Sequence, residues 1–84
     1  MYKVIMHNGD FTTMEFVVMM LKTVFFIDET RANQLMLTVH KMDKAEIGIY
    51  TYDIAVSKSQ KAMRMARKHG FPFKLTWEPA SLPF

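Results

Sequence analysis

The stretch that decides the fold is His7-Asn8-Gly9-Asp10-Phe11-Thr12-Thr13-Met14-Glu15-Phe16-Val17-Val18. It holds a sharp turn, a helix start and an apolar run. Asn8, Gly9 and Asp10 are turn formers: Gly tolerates positive φ, and Asn and Asp side chains bond their own backbone. Thr12 and Glu15 stand at capping-box spacing, which predicts Thr12 as the helix N-cap with the carboxylate reaching back. From Met14 to Leu21 only Glu15 is polar. A helix so apolar either sits inside a core or turns one apolar side toward a ligand. A chain of 84 residues has little interior to sit in, which makes the ligand option worth pursuing.

Outward from this stretch, Tyr2 to His7 alternates, with Tyr2, Val4 and Met6 on one face and Lys3, Ile5 and His7 on the other. That is a strand. The first helix is expected from about Thr13 to Phe25 or Phe26. Asp28 is the candidate N-cap of a second helix. Its apolar positions Ala32, Leu35, Met36 and Val39 recur at helical spacing, with His40 one turn beyond Met36. The polar run Lys41 to Lys44 ends it. Ala45 to Tyr50 reads as a second strand, with Gly48 at a bulge or close approach. Thr51 opens a third helix carrying Ile54, Ala55, Ala62, Met65 and Ala66, and Gly70 stops it. Phe73, Leu75 and Trp77 alternate with Lys74, Thr76 and Glu78 as a third strand. The expected architecture is α+β, in the order β-α-α-β-α-β, with helices covering one face of a small sheet. Residues 1–78 form one core domain and 79–84 an irregular tail. Lys3 and Lys74 are expected to guard the sheet edges.

Composition removes several function classes. Charged residues make up 23% of the chain and the net charge is +3. The densest basic cluster, Lys61, Arg64, Arg67, Lys68 and His69, lies at a helix end, where it complements the dipole. That argues against nucleic acid as the partner. No apolar run is long enough to span a membrane, and the N-terminus lacks signal-peptide features. The chain has no cysteine, so it has no disulfide and no thiol chemistry, which fits the cytoplasm. His7, His40 and His69 are scattered, so no metal ligand set forms. There is no phosphate loop. No Ser or Thr has a spaced base, and Asp10 and Glu15 are accounted for by turn and cap. Neither enzymatic activity nor a cofactor is expected. Nine methionines suit an adaptable apolar surface.

One constellation remains. Asn8 and Thr12 stand near the first helix start, Met14 and Val17 in its first turns, and Met36, Val39 and His40 on the second helix. Side-by-side helices would bring these residues to one pocket, apolar below and polar at the rim. The plainer reading makes the apolar four simple core and His40 a surface or satisfied core histidine. Periodicity leaves both open.

The chain resembles the bacterial ClpS adaptors, N-degron recognition factors serving the AAA+ protease ClpAP. The resemblance runs from Tyr2 to about Glu78. It is carried by Tyr2-Lys3-Val4-Ile5, by Asn8-x-Asp10-Phe11-Thr12-x-Met14-Glu15-Phe16-Val17, and by Met36-Leu37-x-Val39-His40. Gly48-x-Tyr50-Thr51, Ile54-Ala55, Lys58, Ala66-Arg67 and Phe71-Pro72-Phe73 continue it. It implies a three-stranded antiparallel sheet and recognition of proteins whose first residue is Leu, Phe, Tyr or Trp. Asn8 and His40 would then bond the substrate α-amine, with Asp10 beside them and Thr12 fixing the first peptide unit. Met14, Val17, Met36, Val39 and Phe73 would wall the pocket, Met14 excluding β-branched side chains. Asp53 and Lys58 would dock the N-terminal domain of the unfoldase ClpA. The resemblance further implies a flexible N-terminal extension used in delivery; this sequence begins at the first strand.

The residue types suit that task. An α-amine with a pKa of about 7.7–8.0 is mostly charged at neutral pH. It needs acceptors, which an Asn oxygen and a neutral imidazole nitrogen supply. A typical His protonates below about pH 6.5, so binding is expected to weaken there.

Four positions depart from the family pattern. Gly9 replaces an acidic residue beside the α-amine, Thr13 a helix-starting Pro, Asp43 a Gly after the second helix, and Val56 a Glu on the docking face. Gly9 keeps an alternative open: a docking module that binds a AAA+ partner without N-terminal selectivity. The net charge prompts a third, a basic nucleic-acid binder, which no motif supports.

Overall fold

The computed structural model describes residues 1–80. The elements run β1 (Tyr2–His7), α1 (Met14–Thr23), α2 (Glu29–Met42), β2 (Lys44–Tyr50), α3 (Tyr52–Lys68) and β3 (Lys74–Pro79). The order is the expected β-α-α-β-α-β. The sheet is antiparallel throughout, in the order β2-β1-β3.

Alternation in β1 sends Val4 and Met6 inward, both fully buried. Met6 pairs with Ala45 on one side and Leu75 on the other, so three inward side chains make one row. The register of β2 slips between Val4 and Ile5, which face Gly48 and Glu46. Ile47 is the extra residue of this bulge. Its side chain is buried and its carbonyl accepts from Arg31 Nη2 at 3.2 Å. The bulge changes the parity of the strand, so Gly48 and Tyr50 follow Ala45 and Ile47 on the inner side. A Cβ on Gly48 would lie 2.9 Å from the Tyr50 hydroxyl, so the Tyr50 ring packs over the bare glycine.

The third helix packs closely because its inner stripe is small. Ala55, Ser59, Ala62 and Ala66 are all fully buried. It ends as the glycine predicts: Gly70 has φ 76°, and Phe71 N–H donates to the Ala66 carbonyl at 2.8 Å. That is a Schellman closure.

The structure corrects four details. The N-cap of α1 is Thr13, whose Oγ1 accepts from Phe16 N–H at 3.2 Å. Thr12 is held instead in the preceding turn, its N–H donating to the Gly9 carbonyl at 3.2 Å. This moves the cap one residue on and leaves Glu15 outside a capping box. Helix α1 ends at Thr23, before Phe25, because Phe26 takes a left-handed conformation with φ 55°. Lys3 guards no edge, since β3 returns to the far side of β1 and makes it central; its ammonium lies 3.9 Å from Glu78 instead. Lys44 and Lys74 stand on the true edges. Finally, Pro79 belongs to β3, and Ala80 N–H donates to the Met1 carbonyl at 2.9 Å. The rest of the expected tail, residues 81–84, lies outside the described residues.

Candidate functional site

A hollow of about 320 Å³ opens between the Asn8–Thr12 turn, the start of α1 and the last turns of α2. Its lining includes Asn8, Asp10, Thr12, Met14, Val17, Met36, Val39 and His40, with Gly9 added. The structure thus brings together eight of the nine residues expected at one pocket. The size falls in the lower part of the roughly 300–1,000 Å³ range of ligand sites.

The floor is apolar. Val17 and Val39 are 6% and 4% exposed, and Met36 is half-buried beside them. Met14 stands 49% exposed at the mouth. Helical spacing puts Met14 and Val17 on one side of α1, and Met36, Val39 and His40 on one side of α2. Antiparallel packing of two such stripes makes the walls.

The rim is polar. Asn8, Asp10 and His40 are exposed. Asn8 N–H donates to the Asp43 carbonyl at 2.8 Å, which ties the turn to the C-terminal end of α2. Asp43 reaches this geometry with φ 68°. Thr12 Oγ1 is buried with no hydrogen-bond partner. An orphaned hydroxyl in a hollow wall is an unmet demand for a polar ligand atom or an ordered water. Gly9 lies against it: a Cβ there would sit 2.7 Å from Thr12 Oγ1 and 3.3 Å from the Pro72 carbonyl. Gly9 does not have positive φ, so its role is close approach rather than a left-handed turn.

Two helix ends of opposite polarity meet at this rim. The C-terminal end of α2 carries partial negative charge and the N-terminal end of α1 partial positive charge. A cation is favoured beside His40 and Asn8. A carbonyl oxygen is favoured beside Thr12 and Met14. A free chain terminus, with its ammonium followed by its first carbonyl, presents that sequence of charges. Sequence reading missed this because it depends on how the helices are placed.

Phe73 stands elsewhere, and the two expected docking residues, Asp53 and Lys58, lie on α3. Phe73 is only 7% exposed and does not line the hollow; it packs edge-on against Phe16, ring centroids 6.1 Å apart. Its position just before β3 draws it under α1 into the aromatic cluster with Phe71. Asp53 is exposed in the first turn of α3. Lys58 is half-buried, its Nζ donating to the Val24 carbonyl at 2.8 Å and lying 4.5 Å over the Phe26 ring. It closes the end of α1.

Among the described residues no cluster of three His, Asp or Glu could hold a metal, and no helix is long and apolar enough to cross a membrane.

A family profile described as "ATP-dependent Clp protease adaptor protein ClpS" matches residues 1–76. The ATP-dependent Clp protease adapter protein ClpS of Desulforapulum autotrophicum is 46% identical over 78 residues, covering 93% of this chain and 75% of that protein. The protein of the same name from Acetivibrio thermocellus is 48% identical, covering 94% and 80%. The structure of Agrobacterium tumefaciens ClpS2 bound to L-phenylalaninamide superposes with a TM-score of 0.90 at 37% identity, covering 94% of this chain and 95% of that one. The chain belongs to the ClpS family of Clp protease adaptors. It is an adaptor and not an enzyme.

Proposed function

We propose that this chain captures proteins by a free α-amino group and a bulky hydrophobic first residue, Leu, Phe, Tyr or Trp. It then delivers them to the ClpAP protease in the cytoplasm, docking on the N-terminal domain of ClpA through α3 near Asp53 and Lys58. The observation that carries the reading is the buried, unpartnered Thr12 hydroxyl in the wall of an apolar hollow rimmed by Asn8 and His40. The Agrobacterium tumefaciens relative bound to L-phenylalaninamide, an aromatic residue with a free amine, supports it.

The chemistry divides into two halves. The first side chain is buried over Val17 and Val39, a contribution of roughly 1.5–3 kcal/mol for Phe or Leu. The ammonium donates to the Asn8 side-chain oxygen and to a neutral His40 nitrogen, with Asp10 and the α2 terminus supplying negative potential. An internal residue has an uncharged amide there and a preceding chain that meets the wall.

The test is a titration of a labelled Phe-initiated peptide against its Ala-initiated and N-acetylated counterparts. The expected dissociation constant is about micromolar or better, near −8 kcal/mol, with both controls much weaker. Equal binding of the acetylated peptide would refute selectivity. It would leave the alternative suggested by Gly9, a module that docks on a AAA+ partner without reading the first residue.

A further inference from the structure

We propose that a second apolar subsite, on the α1–α2 groove beside the hollow, receives the side chain of the third residue of a bound N-terminus. This rests on the reading of the hollow given above. A depression of about 440 Å³ lies between the two helices, floored by Val18 and Met19 and bounded by Met14 and Met36. Met14 and Met36 also line the hollow. The two spaces are therefore neighbours sharing a wall of two flexible side chains.

The direction of the peptide follows from the rim. With the ammonium at Asn8 and His40 and the first side chain over Val17 and Val39, the chain leaves over Met14 and Met36. On α2 this path goes from His40 to Met36 to Asn33, seven residues, or about 10 Å along the axis. An extended peptide advances about 3.3 Å per residue and alternates its side chains. The second side chain points away from the protein. The third points down again, about 6.6 Å beyond the first, over Val18 and Met19. Lys22, whose ammonium is 3.1 Å from Glu29, stands toward its far end with Thr23. Glu15 stands at the mouth and disfavours an acidic residue. The fitting occupant is Leu or Met.

The experiment compares labelled Phe-Ala-Gly, Phe-Ala-Leu, Phe-Ala-Asp and Phe-Leu-Gly peptides of otherwise equal sequence by fluorescence anisotropy. Phe-Ala-Leu should bind roughly three- to tenfold tighter than Phe-Ala-Gly, as partial burial of one Leu side chain implies. Phe-Ala-Asp should be the weakest of the four. Met19→Ala should bring the Leu-to-Gly ratio toward one. Val18→Thr, nearly the same shape, should lower it too and serves if Met19→Ala is poorly folded. In the unaltered protein the Met19 methyl NMR signal should shift more with Phe-Ala-Leu than with Phe-Ala-Gly. Equal affinities for Leu and Gly at the third position, with both peptides bound, would overturn the subsite and leave the hollow's role standing. A gain confined to Phe-Leu-Gly would overturn it as well. Failure of all four peptides to bind would remove the hollow's role and the subsite together.

Discussion

Asn8 N–H donates to the Asp43 carbonyl at 2.8 Å, joining the loop that carries one end of the rim to the helix that carries the other. Asp43 makes this bond from a left-handed conformation, φ 68°, which costs a residue with a Cβ roughly 1–2 kcal/mol. Asp43→Gly should keep the bond and relieve part of that strain, raising stability by about 0.5–1 kcal/mol. Asp43→Val should lower it by more than that, because β-branching is poorly tolerated there. Urea denaturation of the three proteins measures both. An unchanged midpoint for both variants would refute the strain.

The approach of Gly9 to Thr12 governs the rim. Gly9→Ala introduces a Cβ where Thr12 Oγ1 now lies 2.7 Å away. The hydroxyl has to shift, which moves the Thr12 side chain in the lining of the hollow, and Phe-peptide binding should weaken several-fold. Thr12→Val removes the same hydroxyl and should weaken it similarly. Because both act on one group, the double variant should lose little more than either single one. Additive losses in the titration would show that Gly9 acts independently of Thr12.

Lys58 closes α1 through the Val24 carbonyl. An ammonium at a helix C-terminus satisfies an orphan carbonyl and the dipole together. Lys58→Met keeps the aliphatic stem and removes the charge. It should cost about 1–2 kcal/mol of stability, read in the thermal midpoint. Asp53→Asn, at an exposed position, should leave stability within about 0.5 kcal/mol, so it tests the proposed docking on ClpA without that loss.

Ser59 is fully buried on the inner face of α3 and its hydroxyl has no partner. An unsatisfied buried hydroxyl costs on the order of 1–3 kcal/mol. Ser59→Ala should therefore stabilise the protein by about 1 kcal/mol. A loss of stability in urea denaturation would mean that a buried water satisfies the group.

His7 sits on the outer face of the sheet, its Nε2 2.8 Å from Thr76 Oγ1. Burial, then Lys74, then Lys44, lower its pKa below the ordinary 6.5. The unfolded chain therefore takes up a proton first as pH falls. Stability should decline below about pH 6.5, until the folded protein is protonated as well. His7→Gln should flatten this part of the profile, measured as urea midpoints from pH 7.5 to 5. An equally steep decline in His7→Gln would place its origin in other groups.

Much of the site could be read from spacing, because a helix presents every third or fourth residue to one side. Met14 with Val17, and Met36 with Val39 and His40, needed only that the two helices meet. The cap could not be placed the same way. Thr12 and Thr13 are chemically alike, and the turn bond from Thr12 N–H to the Gly9 carbonyl decides which of them starts the helix. Phe73 carries no local signal separating a pocket wall from a core aromatic.

The amino-acid order alone determined the strands, the helices and their succession, since each follows from short-range periodicity, turn chemistry and capping. It also determined the absence of thiol chemistry and the kind of surface the first two helices offer. Only the tertiary structure decided that β1 lies in the middle, that Lys58 turns to the Val24 carbonyl, and that the Thr12 hydroxyl stands unpartnered beside an apolar hollow. Those outcomes depend on which elements touch, and contact between distant segments is set by packing of the whole chain rather than by any stretch of it.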